Sequence, residues 1–231
     1  MVSTQLHYVL EVGPQDQAIG WVLELPGCHV LTPLHQAQTK VLGAAQEYLD
    51  WLAGHGETIP DGKSELVCAE VVRSREDKRQ GRTSAFFQAD AESVSTETLD
   101  RCLRLLNWSR QDLLQILEPL PLQALALGHL GRNDWTIKTI LQHIAGAERW
   151  YLTKLWPRLP ELPRSRTPQE RLERVRALAL QFLTAATSAE RSIVVRVPDG
   201  ERWSLRKVLR RMLYHERYHL RKIEEILNSR A

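Results

Sequence analysis

The stretch SLRKVLRRMLYHERYHLRKIEEIL (204–227) decides how the second half of the chain folds. Leu205, Val208, Met212, Ile223 and Ile226 recur at helical spacing, so the segment reads as one long amphipathic helix. Ser204 stands where an N-cap belongs. Inside the helix lies His215-Glu216-Arg217-Tyr218-His219. Residues four apart share a helical face about one turn apart, so both imidazoles can converge on one metal ion. Glu216, between them, is a candidate general acid or base. A catalytic metal usually takes three protein ligands and keeps a position open. A zincin protease would take its third ligand downstream, but Lys222 and Glu225 stand where the longer motif needs Gly and His. The third ligand is therefore expected from another helix.

Reading outward, three more segments carry a 3.6-residue period. Residues 97–117 place Leu99, Leu103, Leu106, Leu113 and Leu117 on one face, and Pro119 and Pro121 stop the helix. Residues 136–155 place Ile140, His143, Ala147 and Trp150 in line. Thr167-Pro168-Gln169-Glu170 opens a helix with a capping box and proline at its first position, and Leu172, Val175, Ala179 and Phe182 follow. Residues 192–197 alternate like a strand, Pro198-Asp199-Gly200 is a turn, and 201–203 can pair back. Four helices with one apolar stripe each pack as a bundle. His143 is the histidine on an inward stripe that can complete the pair on the last helix. His129 falls in the loop after Pro121, and the other four histidines lie in the first part of the chain. Glu148 is a further acid–base candidate, set against a structural role in pairing with arginine.

The first part reads differently. Residues 5–12, 19–25 and 28–31 are strand-like, separated by Gly13-Pro14 and Pro26-Gly27. Thr32 and Pro33 look like the start of a helix that carries Val41, Leu42, Ala45, Tyr48, Leu49 and Leu52 to about residue 53. Residues 65–72 and 84–88 read as a loose hairpin, and 90–95 as a polar linker. The expected fold class is α+β: a sheet-plus-helix domain over 1–90, then a four-helix bundle over 91–231.

Charge follows the same division. Residues 1–90 carry 7 Lys+Arg against 12 Asp+Glu, and 91–231 carry 24 against 16, within an overall +3 over 231 residues. The cations of the last helix read as a solvated face. No base-reading motif accompanies them, so nucleic acid is not an expected partner. Apolar residues make up 43%, enough for packed cores, yet no apolar run approaches the ~18–20 residues of a membrane span. The N-terminal residues carry neither a basic nor an apolar signal region. Cys28, Cys68 and Cys102 are an odd number without metal-ribbon spacing, which argues for reduced thiols and a cytoplasmic setting. Gly56 and Gly62-Lys63-Ser64 miss the P-loop spacing by one residue.

Two resemblances follow from these residues. WTIKTILQHIAGAERWYL (135–152) and the last helix with its HERYH resemble the DinB/YfiT superfamily over about residues 97–231. That resemblance implies a four-helix bundle, often dimeric, in which His143, His215 and His219 hold zinc, nickel or a related divalent ion. It also implies a thiol-dependent transferase or a hydrolase acting on a small molecule, with a low-molecular-weight thiol as a co-substrate. Arg221-Lys222 replace the Gly-Gln pair common after the last histidine, which makes the pocket rim basic. Residues 5–60, with GWVLELPGC (20–28), resemble the HicB-type antitoxin fold. That implies a protein partner for the first domain and, as the alternative function, a non-catalytic binding module with the bundle as scaffold.

Overall fold

The computed structural model describes residues 4–59, 64–78, 81–128 and 135–229. His129, expected in a loop, lies outside them. The chain divides into two compact units: Met1–Glu92 with Pro198–Arg202, and Ser93–Val197 with Trp203–Ala231. The architecture is α+β, a sheet with a helix followed by a helical bundle.

The first unit is a four-stranded sheet in the order β3-β2-β1-β4. Its strands are β1 (Thr4–Val12), β2 (Gln17–Val22), β3 (His29–Pro33) and β4 (Ser64–Arg73), with helix α1 (Ala37–Gly54) between β3 and β4. β1 pairs antiparallel with β2, and β2 with β3. β4 returns parallel to β1, from Thr4 opposite Ser64 to Val12 opposite Arg73. A parallel return needs a crossover, which α1 supplies. Val41, Ala45, Tyr48 and Leu52 are its buried stripe. A Cβ on Gly20 would meet Val41 Cγ2 at 2.7 Å, so glycine there lets helix and sheet approach closely.

Two sequence expectations fail here. Thr32 and Pro33 end β3 instead of capping α1, whose N-cap is Gln36. The hairpin expected from 65–72 and 84–88 does not form, because β4 is taken by β1 and 84–88 contains no strand. The backbone N–H groups of that segment donate to carboxylates instead of a ladder: Ser84 to Glu11, Phe87 to Asp90 and Gln88 to Glu70, at 3.0, 2.9 and 2.7 Å. Phe87 is buried edge-on to Trp21, with ring centroids 5.4 Å apart.

The second unit holds α2 (Thr96–Leu117), α3 (Ile137–Leu152), α4 (Pro168–Thr184), the short α5 (Ser188–Ser192), strand β5 (Val194–Arg196), all but the first residue of β6 (Arg202–Ser204), and α6 (Leu205–Asn228). α5 was not read from the sequence; Thr187 and Glu190 cap it reciprocally. The four long helices are capped by Ser95, Thr136, Thr167 and Ser204, each accepting from the backbone N–H three residues on. Such a cap is worth about 1 kcal/mol. At α4 the Glu170 carboxylate reaches back to the Arg166 N–H, one residue before the cap. Leu113, Leu117, Ile137, Leu141, Ile144, Leu172, Val175, Ile223 and Ile226 form the bundle core.

One charged layer interrupts that core. Arg110 of α2, Glu148 of α3, Arg176 of α4 and Glu216 of α6 are each at most 5% exposed. Arg110 bonds Glu216 at 2.7 Å and Glu148 at 2.6 Å. Arg176 bonds Glu148 at 2.6 Å and Glu216 at 3.1 Å. The guanidiniums also donate to the carbonyls of Leu172 and Leu106. Two positive and two negative charges, one from each helix, neutralise each other across the bundle axis.

Candidate metal centre

α3 and α6 pack against one another and bring three histidines together. His143 comes from α3, and His215 and His219 lie one turn apart on α6. One ring nitrogen of each lies within 4.8 Å of the others. His143 Nε2 and His215 Nε2 are 2.9 Å apart. Two ligands at about 2.0–2.2 Å from a tetrahedral ion stand roughly 3.5 Å apart, so the cluster has the scale of one coordination sphere. Among the described residues, no Cys, Asp or Glu joins the group.

The rings line a graded opening: His219 is buried, His215 half-buried and His143 exposed. His143 was expected on the inward stripe. The buried stripe of α3 instead runs through Ile137, Ile140, Leu141, Ile144, Glu148 and Tyr151. His143 stands beside it, on the flank shared with the exposed Trp150. This is the rim of the cluster, where solvent or a ligand has access.

All three imidazoles are held neutral. Burial pushes the His215 pKa well below the ordinary value, and the neighbouring His219, His143 and Arg211 push it further. Burial, with His143 and Lys222, brings His219 down to about 3. Burial also lowers His143. A neutral imidazole offers a lone pair, which is the form a metal needs. His219 Nδ1 is buried without a hydrogen-bond partner. The donor set fits a borderline divalent ion, because it is all nitrogen and leaves positions open.

Aromatic walls surround the cluster. Trp135 stacks on His219 with 6° between planes and 5.7 Å between centroids, and meets His143 edge-on. Tyr151 meets His215 edge-on, and Tyr218 meets His219 edge-on. Arg211 donates to the Tyr151 hydroxyl at 3.2 Å. The sequence offers Tyr151 as a hydrogen-bond partner for core histidines, and does not mark Trp135 or Tyr218 as part of the site. Tyr151 stands eight residues after His143 and thus on a neighbouring face. Trp135 lies outside the helix, where periodicity says nothing.

Glu216 is turned into the charged layer, its two oxygens shared between Arg110 and Arg176. Burial opposes its ionisation, but the two guanidiniums outweigh that and hold its pKa below the usual carboxylate value. Glu148 lies in the same layer. The cations of α6 are not a solvated face either. Lys207, Arg210 and Arg211 are buried, with Lys207 against the Trp203 ring at 4.5 Å and Arg211 over Tyr151 at 5.1 Å. Lys222 keeps the basic rim, paired with Glu225 at 2.8 Å.

The fold is a four-helix bundle in which three histidines from two helices converge as a group able to hold a metal ion. The DinB superfamily matches residues 105–223, and the chain belongs to that superfamily. Two solved structures are similar to it. TT2238, described as a four-helix bundle protein, is 24% identical over 55% of this chain and 99% of its own, with a TM-score of 0.44. YfiT from Bacillus subtilis, described as a probable metal-dependent hydrolase with an unusual four-helix bundle topology, is 19% identical. It covers 60% of this chain and 91% of its own, with a TM-score of 0.46. No curated protein matches the chain. Among the described residues, no helix is long and apolar enough to cross a membrane.

Proposed function

We propose that this protein is a divalent-metal-dependent enzyme of the DinB/YfiT type, with His143, His215 and His219 as ligands to zinc or nickel. The observation that carries the reading is the convergence of three imidazoles from two helices, with one ring nitrogen of each within 4.8 Å of the others. When bound, the ion supplies Lewis acidity and lowers the pKa of a coordinated water or low-molecular-weight thiol. Hydrolysis of a small molecule, or transfer of a thiol to it, are the reactions in keeping with that chemistry. The exposed edge of His143 gives the ligand entry, and Trp135, Tyr151 and Tyr218 pack against the other faces of the rings. We assign Glu216 a positioning role. Its bonds to Arg110 and Arg176 fix the turn of α6 that carries both histidines, so proton transfer falls to another group.

The reading is tested by elemental analysis of protein purified without chelators or a metal column. One equivalent of zinc or nickel is expected, falling to none in His219→Ala with the helical circular dichroism retained. One full equivalent in that variant would place the ligands elsewhere.

Among the described residues none of the first unit's joins the histidine cluster, and its main part, residues 1–92, lies outside the matched residues 105–223. It is a four-stranded sheet with one crossover helix, and the reading of it as HicB-like rests on the sequence resemblance of residues 5–60 alone. We read it as a separate module that docks a protein partner. A chain beginning near residue 92 should keep its metal equivalent; loss of metal there would tie the first unit to the centre.

A further inference from the structure

We propose that a second site, separate from the histidine cluster, binds a small dianionic oxyanion ligand, either a phosphate monoester or a dicarboxylate. The site is the cleft between α3 and the segment 161–171 that leads into α4. Its volume is about 580 Å³, within the range of small-molecule sites. Lys138 and Arg149 of α3 line one wall, and Arg164, Arg166 and Arg171 line the other, against the single carboxylate of Glu161. Buried Val175 lies at the floor. None of the three histidines lines it. Lys138, Gln142 and Arg149 share a stripe roughly 120° around α3 from His143, as 3.6 residues per turn require.

The arrangement is unbalanced without a ligand. Lys138, Arg149, Arg164 and Arg171 form no ion pair among the described residues; Arg166 alone faces a carboxylate, that of Glu170. Nη1 of Arg149 is buried with no hydrogen-bond partner. A buried guanidinium nitrogen left unbonded is costly, and like charges converging on one concavity repel. An anion in the cleft relieves the repulsion, and a turn of the Arg149 side chain would bring its unbonded nitrogen to the same ligand. Guanidinium forks bind carboxylate and phosphate in bidentate geometry. Several cations around one cavity favour two negative charges over one. Nucleic acid would instead need cations spread along a surface at the spacing of successive phosphates, whereas these converge on a space of molecular size.

The test is titration calorimetry of the metal-free full-length chain with glycerol 3-phosphate, succinate and a single-stranded oligonucleotide. We expect one saturable site for at least one of the two small anions, and the tighter of them identifies the ligand class. Arg149→Gln should weaken that binding about tenfold or more, and Arg171→Gln should weaken it too. Arg104→Gln, on an exposed position of α2, should leave it unchanged. Arg171 is itself exposed, so its variant carries the test if Arg149→Gln does not fold. His219→Ala should bind the anion as the parent does. The proposal falls if neither small anion saturates or if both arginine variants bind as the parent does. It also falls if the oligonucleotide binds without competition from either anion, or if His219→Ala loses the site.

Discussion

His143 and His215, 72 residues apart in the chain, place their Nε2 atoms 2.9 Å from one another. With both rings neutral, one nitrogen donates and the other accepts, so the contact is a hydrogen bond between two potential ligands. A divalent ion held by His143 and His215 would exchange that bond for two ligand bonds. Binding to the folded state alone raises stability by mass action. Zinc or nickel should therefore raise the melting temperature of the metal-free protein. His143→Ala should abolish that rise, and in the metal-free protein should cost about the 1 kcal/mol of one hydrogen bond. Thermal melts with and without added ion check this; a metal-induced rise preserved in His143→Ala would remove α3 from the centre.

The charged layer makes an opposite prediction for the neighbouring residue. Glu216→Ala leaves Arg110 and Arg176 sharing one carboxylate in the core. Breaking a buried pair from one side costs about 3–5 kcal/mol. Denaturant unfolding should show a loss of that order. Replacing Arg110, Glu148, Arg176 and Glu216 together by apolar residues should cost less than the single change, since no charge is stranded. Metal stoichiometry of the folded Glu216→Ala protein should stay at one. Loss of the ion with stability intact would instead return Glu216 to the chemistry.

In the first unit the pH-sensitive contact is Glu11 with Lys78, both fully buried at 2.6 Å. Burial alone would raise the Glu11 pKa, but bonds from Lys78, Thr83 and the Ser84 N–H outweigh it and hold the carboxyl below its ordinary value of 4.5. A depressed folded pKa gives stability that is complete above the unfolded value and lost as pH falls through the folded one. Hydrogen exchange in β1 and β4 should thus accelerate as pH falls below about 4.5, beyond the intrinsic pH effect. Glu11→Gln should flatten that acid limb and lower protection at neutral pH. An unchanged acid limb in the variant would show that other carboxylates control it.

Much of the bundle is legible because its signals are local. Thr136, Thr167 and Ser204 cap helices where the sequence places them, and the apolar stripes give the inward faces. The four-residue spacing of His215 and His219 survives folding because a helix fixes it. What the sequence withheld is long-range. Arg110 and Arg176 stand on apolar stripes, beside Leu106 and Leu113 and beside Leu172 and Ala179. A charge in such a stripe signals a buried partner without naming it. Glu216 was read toward the metal because its partners lie 106 and 40 residues away. The pairing of β4 with β1 was missed for the same reason: a parallel return across α1 carries no turn signal, whereas a hairpin does.

The cysteines bear on whether any thiol chemistry at the centre is supplied from within the chain. Cys102 is 3% exposed, and burial raises its pKa to about 12, only partly offset by Arg101 and Arg206. At pH 8 a thiol with that pKa is roughly one ten-thousandth thiolate, and the thiolate is the nucleophile. Cys28 is 1% exposed, with its Sγ 3.5 Å from the Ala44 carbonyl. Cys68 is exposed on β4. None of the three belongs to the histidine cluster. A thiol reagent should therefore label one cysteine rapidly in the native protein and all three after unfolding, and Cys68→Ser should remove the rapid phase. The same variant should bind metal as the parent does. If it lost the ion, or if two cysteines reacted rapidly in the native state, an internal thiol would have to be placed near the centre. With the expected result, any thiol used there enters from solution past His143.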